Sequence, residues 1–147
     1  MPNGRGSSNT YSWFLFFSVA SLPTILKADG EFSFGPNDKV AEITIGSDVT
    51  VYPGTKLTIR CPVESTVSFV VFWTSQGRPV NIGNAQRVGD DLVITNIDKR
   101  YALEYECNAK AARGIVSQKS TVRVKGVVNL QTSYLTYVLS FHSLFAS

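Results

Sequence analysis

The chain has one histidine, one methionine and two cysteines in 147 residues. The histidine, His142, stands near the C-terminal end, so the body of the chain has no Ser-His or Cys-His partnership. Nucleophilic catalysis needs such a pair, with the base held by a third group. Two cysteines and one distant histidine do not supply the four ligands of a structural zinc site. Gly-x-Ser-x-Gly, His-Glu-x-x-His, a phosphate-cradling glycine loop and a calcium-loop spacing are all missing. Asp90-Asp91 is the nearest approach to a carboxylate pair, but adjacent strand residues point to opposite faces, and Gly89 before them marks a turn. The chain therefore reads as a non-enzyme that needs no cofactor and no metal. It also lacks an Asn-x-Ser/Thr sequon, so N-linked glycans are not expected to mask its faces.

Charge is sparse and unevenly placed. Only 17% of residues are charged, the formal net charge is +3, and no acid follows Glu106. Beyond Cys107 stand five bases, Lys110, Arg113, Lys119, Arg123 and Lys125, so an anion-seeking surface is expected there. Removing Arg5 and Lys27 with the first 28 residues leaves 12 of 14 bases against all 11 acids. A balance so close to neutral excludes a general nucleic-acid binder, which must neutralise several phosphates at once.

A length of 147 residues at 44% hydrophobic fits one domain with tails. Residues 1–28 read as a secretory signal peptide: Arg5, an apolar run from Trp13 to Ala20, then Pro23 and small residues. Cleavage is expected after Ala28, with Ala20 in a cleaner small-x-small context as the alternative, and an N-terminal anchor or a core helix as the competing readings. Residues 29–38 read as a linker, and 126–147 as an uncharged, weakly hydrophobic tail. A lipid-anchor signal needs small residues and a polar spacer ahead of its hydrophobic stretch. The tail has only the last of these, so membrane attachment is expected only if the tail is such a signal. A free tail or an alternative terminus is the other reading.

Between these ends the residues alternate as strands do. Leu57-x-Ile59-x-Cys61, Phe69-x-Val71-x-Trp73, Leu92-x-Ile94 and Leu103-x-Tyr105-x-Cys107-x-Ala109 each read apolar-in, polar-out, and Pro53-Gly54, Gln76-Gly77, Ile82-Gly83-Asn84 and Gly89-Asp90 punctuate them. Many short strands with frequent turns indicate an all-β sandwich or barrel. Cys61 and Cys107 each lie on the inward face of such a strand. In an exported chain an even cysteine count favours a disulfide, and two unpaired buried thiols are the alternative.

Cys61, Trp73 twelve residues later, then Leu92-x-Ile94-x-x-Ile97 and Tyr105-x-Cys107 resemble the immunoglobulin domain, most closely its I-set. The resemblance spans residues 39–125 and implies an immunoglobulin-like two-sheet β-sandwich. It further implies that Trp73 packs on a Cys61–Cys107 bridge, with Leu92 and Ile94 in the core, and that the Tyr105 hydroxyl bonds upstream backbone. The chain departs from the family at Tyr101 and Leu103, where relatives carry Asp and Gly. Without that acid, Arg87 is expected to be solvated or stacked on Tyr101.

The functional expectation is a secreted, extracellular binding module for another protein, of the adhesion, neuronal or receptor-organising type. If Phe69, Val71 and Trp73 point inward, Val70 and Phe72 must point out, and two apolar residues on a solvent face ask what covers them. With Glu104 and Glu106 on the neighbouring strand they form the candidate partner surface, for a different protein or for a second copy as a homodimer. Lys119, Arg123 and Lys125, two or four residues apart, share one face and are the candidate site for a heparan-sulfate-like glycan.

Overall fold

The computed structural model describes residues 22–126. The leader-like residues 1–21 and the tail residues 127–147, with His142, lie outside the described residues. The described residues form strands β1 (Thr24–Ile25), β2 (Gly30–Ser33), β3 (Val40–Thr44), β4 (Ser47–Val51), β5 (Lys56–Arg60) and β6 (Val63–Glu64). They continue as β7 (Phe69–Ser75), β8 (Arg78–Pro79), β9 (Ala85–Val88), β10 (Asp91–Ile94), β11 (Glu104–Ala111) and β12 (Gly114–Val124), with one 3-10 turn at Lys99–Tyr101. One sheet has the order β3-β5-β10-β9, and the other β2-β4-β12-β11-β7-β8. The short pair β1-β6 stands apart from both. Ile43, Leu57, Ile59, Leu92 and Ile94 from the four-stranded sheet meet Val49, Val51, Val71, Trp73, Tyr105 and Val122 from the six-stranded one in a single core. The alternation left a sandwich or a barrel open; the architecture is the two-sheet β-sandwich that the immunoglobulin resemblance implied.

Cys61 and Cys107 are bonded, with Cα atoms 6.4 Å apart. Trp73 is the direct cross-strand partner of Cys107, so its indole lies inward beside the bridge, and Nε1 donates to the Asp90 carbonyl at 3.0 Å. The Tyr105 hydroxyl donates to the Tyr101 carbonyl at 3.0 Å. Burial, reinforced by Tyr101, pushes that hydroxyl above its ordinary range, so it stays a neutral donor.

Tyr101, where relatives carry an acid, is buried and accepts a hydrogen bond from the Asn84 N–H at 2.9 Å. The fit requires Gly83, because a Cβ there would sit 2.7 Å from the Tyr101 hydroxyl oxygen at a φ of +39°. Arg87 neither stacks on Tyr101 nor stands free. It donates to the carbonyls of Gly89 and Val71 and lies 4.0 Å from Asp90. Because Val71 belongs to the opposite sheet, Arg87 clasps the two sheets at one edge, and it is Arg100 that sits over the Tyr101 ring, at 5.7 Å.

The N-terminal segment of the described residues carries two strands as well. Residues 22–28, read as the end of a leader, include β1, which pairs with β6 and places Ile25, 7% exposed, in the core. The Leu26 N–H donates to the Pro62 carbonyl at 2.9 Å, and that of Ala28 to the Ile45 carbonyl at 3.0 Å. Within residues 29–38, read as a linker, Gly30–Ser33 adds to the six-stranded sheet as an edge strand parallel to β4. Composition hid both strands: β1 follows directly on an apolar stretch, and all four residues of β2 are exposed.

Two measurements check this architecture. Replacing Cys61 and Cys107 with Ala should lower the unfolding free energy by about 4 kcal/mol, the chain-entropy value for a separation of 46 residues, read from denaturant titration. A chain begun at Asp29 should be less stable than one begun at Ser21 by about 2 kcal/mol, from loss of Ile25 burial alone. Equal midpoints would mean that β1 contributes nothing to folding.

Candidate functional site

On the outer face of the six-stranded sheet, the pairing of β7, β11 and β12 sets side chains in cross-strand rows. Val70, Lys110 and Ile115 form one row, Phe72, Asn108 and Ser117 the next, and Thr74, Glu106 and Lys119 a third. The inward partners Val71, Trp73, Tyr105, Cys107 and Ala109 are all buried, so Val70 and Phe72 do point outward. Val70 is 61% and Ile115 52% exposed, while Phe72 is half-buried. Ser68, Phe69, Val70 and Phe72, with Lys110, Ala111 and Ala112, line an open depression of about 530 Å³.

The middle of the face is held by a chain of hydrogen bonds. Ser117 Oγ donates to Asn108 Oδ1 at 2.7 Å, Asn108 Nδ2 donates to Thr74 Oγ1 at 3.1 Å, and Thr74 Oγ1 donates to Glu106 Oε2 at 3.1 Å. The chain ends on a carboxylate and fixes its orientation. Asn108 is buried although it points away from the core, because its neighbours in the row cover it.

At the other end of the face the charges are already paired. Lys119 Nζ lies 3.2 Å from Glu104. Arg123 lies 3.5 Å from Glu31 and 3.9 Å from Asp48. Lys125 stands over the Tyr52 ring at 5.1 Å. Lys119 and Arg123 do share a face, as the period of two requires, but each meets an acid from another strand. Of the four residues assigned to the partner surface, Val70, Phe72 and Glu106 come together, whereas Glu104 belongs to the paired end. Asp90 and Asp91 are not a carboxylate pair: Asp90 faces Arg87, and Asp91 accepts from the Cys61 N–H at 3.1 Å. Among the described residues there is no group of three or more His, Cys, Asp or Glu placed to hold a metal, and no helix long and apolar enough to cross a membrane.

Sequence reasoning missed Lys110 and Ile115 as members of the apolar end and Asn108 as its polar hub. The signal for the first two was present. Once the last hairpin turns at Ala112-Arg113, its register puts Lys110 opposite Ile115. Nothing local reveals Asn108, whose partners Thr74 and Ser117 come from two other strands.

The family model for the immunoglobulin I-set domain matches residues 40–124, more than half of the chain. No curated protein matches it. Among solved structures it is similar to the N-terminal Ig1-2 module of the Drosophila receptor protein tyrosine phosphatase DLAR, at 16% identity over 73% of this chain and 47% of that one, with a TM-score of 0.55. It is also similar to the titin M3 domain, at 14% identity over 71% of this chain and 97% of that one, with a TM-score of 0.51. The insect immune protein hemolin, whose structure was described with implications for homophilic adhesion, is 23% identical over 70% of this chain and 22% of its own, with a TM-score of 0.52. The chain thus spans about half of the DLAR module and a fifth of hemolin, and at these identities the likeness concerns the fold.

The pairing of the bases has a measurable consequence. Replacing Lys119, Arg123 and Lys125 together with Ser should leave elution from a heparin column at the same salt concentration, because two of the three charges already have acidic neighbours. Late elution of the native chain that is lost in the triple variant would instead establish a polyanion site on β12.

Proposed function

The chain belongs to the immunoglobulin I-set family, and from that premise we propose that it is an extracellular recognition module that binds another protein through the outer face of its six-stranded sheet. One observation carries this reading: Val70 and Ile115 stand exposed beside Phe72 on a face whose inward side already closes the core. Apolar side chains grouped on an otherwise polar sheet face mark a contact surface. Location outside the cell is supported by the Cys61–Cys107 bridge, since such bonds persist in oxidising compartments, and by the leader-like start of the sequence. Recognition rather than catalysis is supported by the bonded state of both cysteines and by the structural employment of Asp90 and Asp91. Adhesion and receptor organisation are the roles that a face of this kind suits, and the reported implications of hemolin for homophilic adhesion point the same way. The glycan reading gains no support from Lys119 and Arg123, which face acids.

The test uses the full chain, tetramerised and fluorescent, on a panel of cells. Binding should be abolished by protease treatment of the cells and by Val70→Glu, and should survive heparinase. Val70→Glu should shift the melting temperature by no more than a few degrees, because the position is exposed. Binding that persists in both Val70→Glu and Phe72→Glu would place the contact elsewhere.

A further inference from the structure

The outer face carries two charges that the fold leaves without ionic partners. Lys119, Glu104, Arg123, Glu31 and Asp48 are all engaged with one another. Among the described residues neither Glu106 nor Lys110 makes an ion pair, although both point outward from β11. Glu106 is held in place from one side by Thr74, which orients its carboxylate without neutralising it. Lys110 lies between Val70 and Ile115, its stem among apolar side chains.

The two sit symmetrically about Asn108, one two residues before it and the other two residues after. At about 3.3 Å per residue they are roughly 13 Å apart, beyond direct contact within one molecule. We propose that the partner of this face is a second copy of the chain, docked face to face about a two-fold axis that runs across the strands along the row Phe72, Asn108, Ser117. This rests on the recognition reading of that face. Such an axis lies in the contact plane, so it lays the row of Lys110 over the row of Glu106 of the second copy, and the reverse. Each copy then gains two ion pairs, Lys110 to Glu106 and Glu106 to Lys110. Phe72 meets Phe72 on the axis, Val70 meets the methyl side of Thr74, and the stem of Lys119 covers Ile115. An isologous contact of this kind requires a surface complementary to itself. The symmetric placing of one acid and one base about a central residue provides that.

The area also sets the strength. The rows symmetric about the axis, from Lys110 to Glu106, span about 13 Å, and the five strands from β4 to β8 about 24 Å. The resulting patch of roughly 310 Å² in projection falls below the about 800 Å² per partner of a stable interface. The dimer is therefore weak in solution, and its strength falls as salt screens the ion pairs.

The experiment is a sedimentation series on the full chain at rising concentration, with the melting temperature of each variant recorded. The native chain should self-associate, and Lys110→Glu and Glu106→Lys should each weaken association by roughly tenfold or more through like-charge contacts. An equimolar mixture of the two variants should associate again to within about threefold of the native chain, because each repulsive contact becomes attractive in the mixed pair. The double variant Glu106→Lys, Lys110→Glu should do the same by itself. A native chain that stays monomeric at the highest attainable concentration overturns the self-pairing, as does a mixture that stays monomeric. Self-pairing then fails alone if cell binding still depends on Val70. If neither self-association nor cell binding responds to substitutions on this face, the recognition reading fails with it.

Discussion

The bond between Cys61 and Cys107 joins the two sheets at one inward point, and the side-chain period of two carries that constraint outward along each strand it touches. With Cys107 inward, Tyr105 and Ala109 must be inward and Glu106, Asn108 and Lys110 outward. Pairing then passes the parity from β11 to β7 through Cys107 and Trp73, and to β12 through Cys107 and Gln118. A slip of one residue in β7 would bury Val70 and Phe72 and expose Trp73, at a cost of several kilocalories per mole. The outer face is thus determined by the core: its members are the residues left over once the bridge and its neighbours have taken the inside.

Charge distribution illustrates how sequence order and spatial order diverge. All acids precede all five bases of the last third of the chain, which reads as a basic C-terminal surface. The fold lays β12 between β11 and β4 and brings β2 alongside β4, so that Lys119 faces Glu104 while Arg123 faces Glu31 and Asp48. Exposed pairs of this kind add little to stability. Their effect is on the field: adjacent opposite charges cancel within a few ångströms, and salt screens what is left beyond about a Debye length. The face is consequently neutral at one end, and the two charges left without an ion pair, Glu106 and Lys110, stand on either side of the Asn108 row.

The strands and the outward position of Val70 and Phe72 were legible because each depends on short-range periodicity; the two-sheet sandwich and the tyrosine hydrogen bond came from the resemblance to the immunoglobulin domain, and the bridge from the even cysteine count together with the inward placement of both residues. Leu57, Ile59 and Cys61, or Tyr105, Cys107 and Ala109, announce their face within five residues. What stayed hidden depends on pairing between distant segments. Ile25 lies in a stretch whose apolar character suits a leader as well as a strand, and its pairing with Val63 has no local signal in the sequence. Glu31 gains its meaning from Arg123, 92 residues away. Arg87 could not be placed because its acceptor is the Val71 carbonyl of the opposite sheet, a backbone atom that side-chain pattern does not reveal. Asn108 reads as an ordinary outward polar residue. It becomes a hub only when Thr74 and Ser117 arrive on either side.

The apolar end of the face is not explained by folding. Val71, Trp73, Tyr105, Cys107 and Ala109 close the core beneath it with exposures of 5% or less, and Val70 and Ile115, each more than half exposed, take no part in that core. Strand propensity does not require them either, since threonine serves a strand about as well as valine, and Thr74 occupies the equivalent outward position two rows away. What distinguishes Val70 from Thr74 is its behaviour toward water. An exposed valine gains free energy only when something covers it, at about 25 cal/mol per Å² of apolar surface removed from solvent. The hydrogen-bond chain from Ser117 through Asn108 and Thr74 to Glu106 works toward the same end. It fixes polar side chains that would otherwise lose rotamer freedom on contact, so part of the entropic cost of association is met in the folded monomer. A rigid, partly apolar face with one oriented carboxylate is therefore organised for contact in advance, and the fold by itself gives no other reason for this combination of residues.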